Sequence, residues 1–131
     1  MKVKMNYGRY VTVTDVAEFA RSDLQETEPN DNGVYEDVVT IYIPVPAPWL
    51  ILISVARGRD GYHYSIAYEN ATGHTGYAPS ARWNTVVSKH EAVCSAIDDL
   101  MTKRELECCH EALRKAKQEL FASMNRQLTL F

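Results

Sequence analysis

Trp49-Leu50-Ile51-Leu52-Ile53-Ser54-Val55-Ala56 runs into Arg57-Gly58-Arg59-Asp60-Gly61, and that into Tyr62-His63-Tyr64-Ser65-Ile66-Ala67-Tyr68. The first segment is short and apolar at nearly every position, the pattern of a strand at least partly covered on both faces. The second contains Asp-Gly, a favoured turn pair. The third alternates with period two, setting Tyr62, Tyr64, Ile66 and Tyr68 on one side and His63, Ser65 and Ala67 on the other. Two strands joined so tightly must run antiparallel, because a parallel pair needs a long crossover.

Working outward, Val38 to Val45 has a strand pattern, and Pro44, Pro46 and Pro48 confine the residues from 44 to 48 to an edge or a turn, since proline cannot donate to a ladder. Val3, Met5 and Tyr7 alternate before Gly8, as do Val11 and Val13 after it, which predicts a strand or hairpin at the start. Thr14 and Asp15 are N-caps for a short helix burying Val16, Phe19 and Ala20. Beyond the central pair, Asn70, Thr72 and Gly73 make a turn, and a segment from Thr75 through Trp83 to Val87 returns, its pairing limited by Pro79.

Ser88-Lys89-His90-Glu91 is a capping box, with Ala92, Val93, Ala96, Ile97, Leu100 and Met101 as the buried stripe of its helix. Thr102-Lys103-Arg104-Glu105 repeats the capping pattern. Leu106, Cys109, Leu113, Ala116, Leu120 and Met124 then continue at spacings of three and four, predicting a long amphipathic second helix. The expected fold is α+β: an antiparallel sheet of four to six strands, a short early helix, and two C-terminal helices packed on one face.

With 131 residues the chain fits one domain with a real core, here placed at residues 1–126. A 46% apolar and 24% charged composition is that of a globular protein. The net charge of −3 argues against a general nucleic-acid coat protein, which needs a basic surplus. Between Asp15 and Asp37 eight acidic residues accompany one basic residue, Arg21, and such a run reads as a solvated face. Cys94, Cys108 and Cys109 are an odd set with two adjacent, a poor disulfide framework, so reduced thiols and a cytoplasmic setting are expected. No apolar run is long enough to span a bilayer, and the start of the chain shows no signal-peptide pattern.

His90 and Cys94, with Cys108, Cys109 and His110, have the chemistry of zinc ligands but not a zinc-binding spacing, and no metal or cofactor is expected. No nucleophile, phosphate loop or metallohydrolase motif stands out, so the chain reads as non-enzymatic. Arg57, Arg59, Tyr62, Tyr64 and Arg82 form a possible single-strand nucleic-acid face, combining stacking rings with a basic rim. The order strand, turn, strand, Ser88-Lys89-His90-Glu91-Ala92 resembles double-stranded-RNA-binding domains, but only Lys89 stands where that family carries several basic residues. The Leu-rich second helix offers another reading: an exposed seam at Leu106, Leu113, Leu120 and Met124 would make a homo-oligomer.

Gln127-Leu128-Thr129-Leu130-Phe131 resembles the Gln-Leu-x-Leu-Phe pentapeptide with which many bacterial and phage DNA-metabolism proteins dock on the replicative sliding clamp. The resemblance implies a docking tail at residues 127–131, with Gln127 bonding at a pocket rim and Leu128, Leu130 and Phe131 filling an apolar groove. It also implies a clamp partner, and an accessory role in replication for a protein of phage or mobile-element type. Phe121, Met124, Leu128 and Phe131 step by three, four and three as well, so these residues also fit one face of a helix packed on the body.

Overall fold

The predicted hairpin is the centre of the sheet. The computed structural model describes residues 1–6 and 8–129, with side chains up to residue 124. Its elements in chain order are β1 (Lys2–Lys4), β2 (Tyr10–Thr12), α1 (Val16–Arg21), β3 (Val39–Ile43), β4 (Leu50–Gly58), β5 (Gly61–Asn70), β6 (Gly73–Gly76), β7 (Thr85–Val86) and α2 (Lys89–Met101). A 3-10 helix over Arg104–Cys109 and α3 (His110–Thr129) complete the chain. The architecture is α+β.

β4 and β5 pair antiparallel from Leu50↔Glu69 to Gly58↔Gly61, leaving only Arg59 and Asp60 in the turn. Asn84 is the one described non-glycine residue with positive φ, so this is neither of the primed turns that two-residue hairpins favour. Gly61, at φ 144°, takes up the reversal instead. β3 lies on the other side of β4, giving the meander β3-β4-β5-β6. β7 also pairs with β5, through Tyr62↔Val86 and His63↔Thr85, while β6 pairs with residues 67–70. The two short strands therefore share one edge of β5, end to end.

This splits the single returning strand expected between Thr75 and Val87. Tyr35 N–H takes the Pro79 carbonyl at 2.9 Å and Val34 bridges Ser80, which draws the middle of the segment away from β5. Asn84 Nδ2 donates to Tyr64 O at 3.3 Å, supplying a bond that a continuous strand would have made.

Alternation along the strands sorts side chains between two layers. Ile41, Ile43, Ile51, Ile53, Val55, Tyr64, Ile66 and Tyr68 face α1, α2 and α3, forming one core with Phe19, Ile97, Leu100, Leu113 and Leu120. On the opposite face Leu52 joins Met5 and Val13 of the β1–β2 hairpin in a smaller cluster. β4 is thus covered on both sides, as its nearly continuous apolar run predicts.

The caps follow the sequence at two places and depart from it at a third. Asp15 accepts from Glu18 N at 2.7 Å, and Ser88 accepts from Glu91 N at 3.1 Å. Glu91 reaches back to Val87 N at 3.3 Å, one residue before the position a capping box prescribes. The second predicted box does not form: Thr102 ends α2, and Lys103 precedes the 3-10 helix without a side-chain cap. Thr102 Oγ1 donates to the Asp99 carbonyl at 2.6 Å, so its side chain is engaged with the helix behind it. Among the described residues no helix is long and apolar enough to cross a membrane.

Candidate functional site

The pentapeptide lies at the far end of α3. The backbone of Gln127, Leu128 and Thr129 continues that helix, whereas their side chains, and Leu130 and Phe131 entirely, lie outside the described residues. The part of α3 before them is well defined. Leu113, Ala116, Leu120 and Ser123 form its body-facing stripe, each buried. Phe121 is 47% exposed and stands off that stripe, while Met124, four residues after Leu120, is half-buried.

The expected oligomerisation seam is not exposed. Leu106, Leu113 and Leu120 are fully buried within the single chain, packed in the core under the sheet's helical layer. Their heptad-like spacing reflects burial against α1, α2 and β3 rather than a free coiled-coil face.

The five residues of the possible nucleic-acid face do not make one. Arg57 lies opposite Tyr62 and Val55 opposite Tyr64 across β4–β5, which puts Arg57, Tyr62 and Tyr64 on the helix-covered side. Tyr64 is buried and offers no open ring face; its hydroxyl donates to Asp99 Oδ2 of α2 at 3.1 Å, and burial pushes its pKa up to about 12. Tyr68 likewise donates to Glu105 Oε1 at 2.7 Å. The Arg57 guanidinium donates to Leu24 O at 3.1 Å, and Arg59 pairs with Glu28 at 3.3 Å in the open. Arg82 sits apart, in the loop beside Gly33. The tyrosine stripe is a core face whose hydroxyls reach the helices. Tyr64→Phe should then lower unfolding free energy by about 1 kcal/mol, read from urea denaturation; an unchanged midpoint would show that the Asp99 bond contributes nothing.

Lys89 is also committed internally. Its ammonium donates to Ala20 O at 2.8 Å, to Phe19 O at 3.3 Å and to Ser22 O, all at the end of α1. The one basic residue matching the double-stranded-RNA-binding pattern is therefore a staple between α1 and α2.

On the hairpin side of the sheet a cleft of about 590 Å³ has Thr40, Leu52, Ser54 and Ala67 as its floor, with Arg9 and His74 at its rim. Thr40 Oγ1 and Ser54 Oγ bond each other at 3.3 Å. Behind His74 the almost fully buried carboxylate of Glu69 accepts from Asn6 N at 2.7 Å and from His74 Nδ1 at 3.3 Å. These polar groups answer one another, which explains how charged and hydroxylic side chains tolerate this layer.

A further arrangement has no signature in the linear sequence. His63, fully buried at the turn end of the same face, has Asp60 Oδ1 at 2.9 Å from Nε2 and Thr85 Oγ1 at 3.2 Å from Nδ1. The Tyr35 ring stacks on it, centroids 4.9 Å apart. Three residues far from any motif spacing meet because β7 pairs with β5 at His63↔Thr85; period two shows only that His63 faces away from the tyrosines. His90 and Cys94 lie on α2, and Cys109 is buried at the end of the 3-10 helix, where burial pushes its thiol pKa up to about 11. Among the described residues no three metal-ligating side chains gather.

No protein-family model, no curated protein and no solved structure matches the chain.

Proposed function

We propose that this protein is a non-enzymatic accessory factor that docks on the bacterial replicative sliding clamp through Gln127, Leu128, Leu130 and Phe131. The observation that carries the reading is the exposure of Phe121 on α3. The body is held by Leu113, Ala116, Leu120 and Ser123, while Phe121, the first member of the series leading into the pentapeptide, is open to solvent. A large apolar side chain left exposed just before the pentapeptide favours an external partner for the end of the chain. Burying three large apolar side chains contributes roughly 1.5–3 kcal/mol each, offset by about 1–2 kcal/mol per residue ordered. The result is a weak tether, strengthened when several copies engage a multimeric ring.

The test compares the full chain with one lacking Gln127–Phe131 for binding to a purified bacterial sliding clamp, with circular dichroism as a check on folding. Expected is micromolar binding that vanishes on truncation while the spectrum is unchanged. Binding that survives truncation, or a full chain that does not bind, would sink the proposal.

A further inference from the structure

The hydrogen-bond network around His63 fixes its tautomer. Its bond to Asp60 holds that carboxyl below the usual carboxylate range, so Asp60 is ionised and accept-only, and Nε2 must carry the hydrogen. In the neutral imidazole Nδ1 is then a bare acceptor, and the Thr85 hydroxyl donates to it. The order is hydroxyl, imidazole, carboxylate, the connectivity by which an alcohol is activated as a nucleophile.

Burial differs sharply along the relay. The His63 ring is completely enclosed, stacked by Tyr35 and held at both nitrogens, so its orientation is fixed. Thr85 is exposed, on a two-residue strand that Asn84 enters at φ 57°. The ring itself meets no solvent, whereas the two groups that hold it, Thr85 and Asp60, are both exposed.

We propose that Thr85, His63 and Asp60 form an acyl-acceptor site, in which Thr85 takes the acyl group of a carboxylic ester that has a good leaving group. Thr85 Oγ1 attacks the acyl carbon; its proton passes to His63 Nδ1 and the alkoxide or phenolate leaves with the electron pair of the broken C–O bond. The imidazolium formed is stabilised by Asp60, whose exposed carboxylate accepts the Nε2 proton and releases it to water, leaving the ring neutral. One acyl group is taken up per chain, and the site does not depend on clamp docking.

The experiment treats the intact protein with p-nitrophenyl acetate and follows acetylation of individual residues by mass spectrometry. Thr12, exposed on β2, is the internal control. Thr85 should acetylate faster than Thr12 by about a hundredfold, the lower range of general-base assistance. His63→Gln should remove that advantage, Asp60→Asn should reduce it, and Thr85→Val should abolish the adduct. Asp60 is 60% exposed, so Asp60→Asn keeps the test decisive even if His63→Gln fails to fold. Acetylation of Thr85 no faster than of Thr12, or equally fast in folded Asp60→Asn, would overturn the proposal and leave the three residues a structural strut.

Discussion

Gly61→Ala is expected to lower the unfolding free energy by about 3 kcal/mol or more. Two costs coincide at this position. A φ of 144° belongs to a region that side chains with a Cβ rarely enter, worth about 1–3 kcal/mol. A Cβ built there would lie 2.6 Å from Val86 O, a backbone atom of β7 that cannot swing aside as a side-chain tip does. Relieving the clash means moving β7 off β5, and overpacking of this kind costs about 1–3 kcal/mol. Against a typical total of roughly 5–15 kcal/mol this is a large loss. Gly73→Ala is the control, because its Cβ would meet nothing within 4 Å; it should change stability by under about 0.5 kcal/mol. Denaturant midpoints for the two variants check the contrast, and near-equal midpoints would refute it.

Lys89→Met should cost about 2 kcal/mol and lower Tm by roughly 5–10 °C. The ammonium sits at the C-terminal end of α1, where unpaired carbonyls concentrate partial negative charge. It also lies 5.8 Å from the centre of the Phe19 ring. Methionine keeps the apolar stem and removes only the donors, so the measured loss reports the carbonyl contacts. Lys89→Arg should not restore full stability, because a planar guanidinium does not match three carbonyls converging on one point. A thermal melt unchanged by Lys89→Met would show that α1 is held by Val16, Phe19 and Ala20 alone.

Those two residues also illustrate what can be read from the chain before folding. Asp-Gly between two apolar runs marks the hairpin, but which of the two residues carries the unusual φ depends on the register, and Gly61 falls just outside the two-residue turn. Lys89 reads locally as the first residue of a helix; its acceptors lie nearly seventy positions earlier in the chain. Local signals decide the elements: alternation finds β4 and β5, and Asp15 and Ser88 find the starts of α1 and α2.

Where the outcome depends on which segments meet, the local pattern is insufficient. Thr75 to Val87 has the composition of one strand, yet Val34 and Tyr35 pull its middle away from β5. Thr102 to Glu105 has the spacing of a capping box, yet Thr102 turns back to Asp99. The tyrosine stripe is legible as a stripe, though its partners, Asp99 and Glu105, come from elements that periodicity alone cannot orient. The pentapeptide is a resemblance in sequence, and the fold adds only the helix that carries it and the exposed Phe121 before it. The His63 arrangement has no linear signature because Thr85, twenty-two positions on, reaches it only through the pairing of β7 with β5.

The margins of the sheet have a consequence of their own. Thr14 bridges Ile41 in parallel, giving its N–H to Thr40 O and its carbonyl to Tyr42 N, both at 2.9 Å, so the free side of β3 is partly occupied by the chain's own backbone. The other margin is broken into four-residue β6 and two-residue β7 with Pro79 between them. Neither border presents a long, straight row of unclaimed amides, the template on which neighbouring molecules add strand to strand into fibrils. Copies of this protein brought close together thus meet sheet borders that offer little length for strand-on-strand addition.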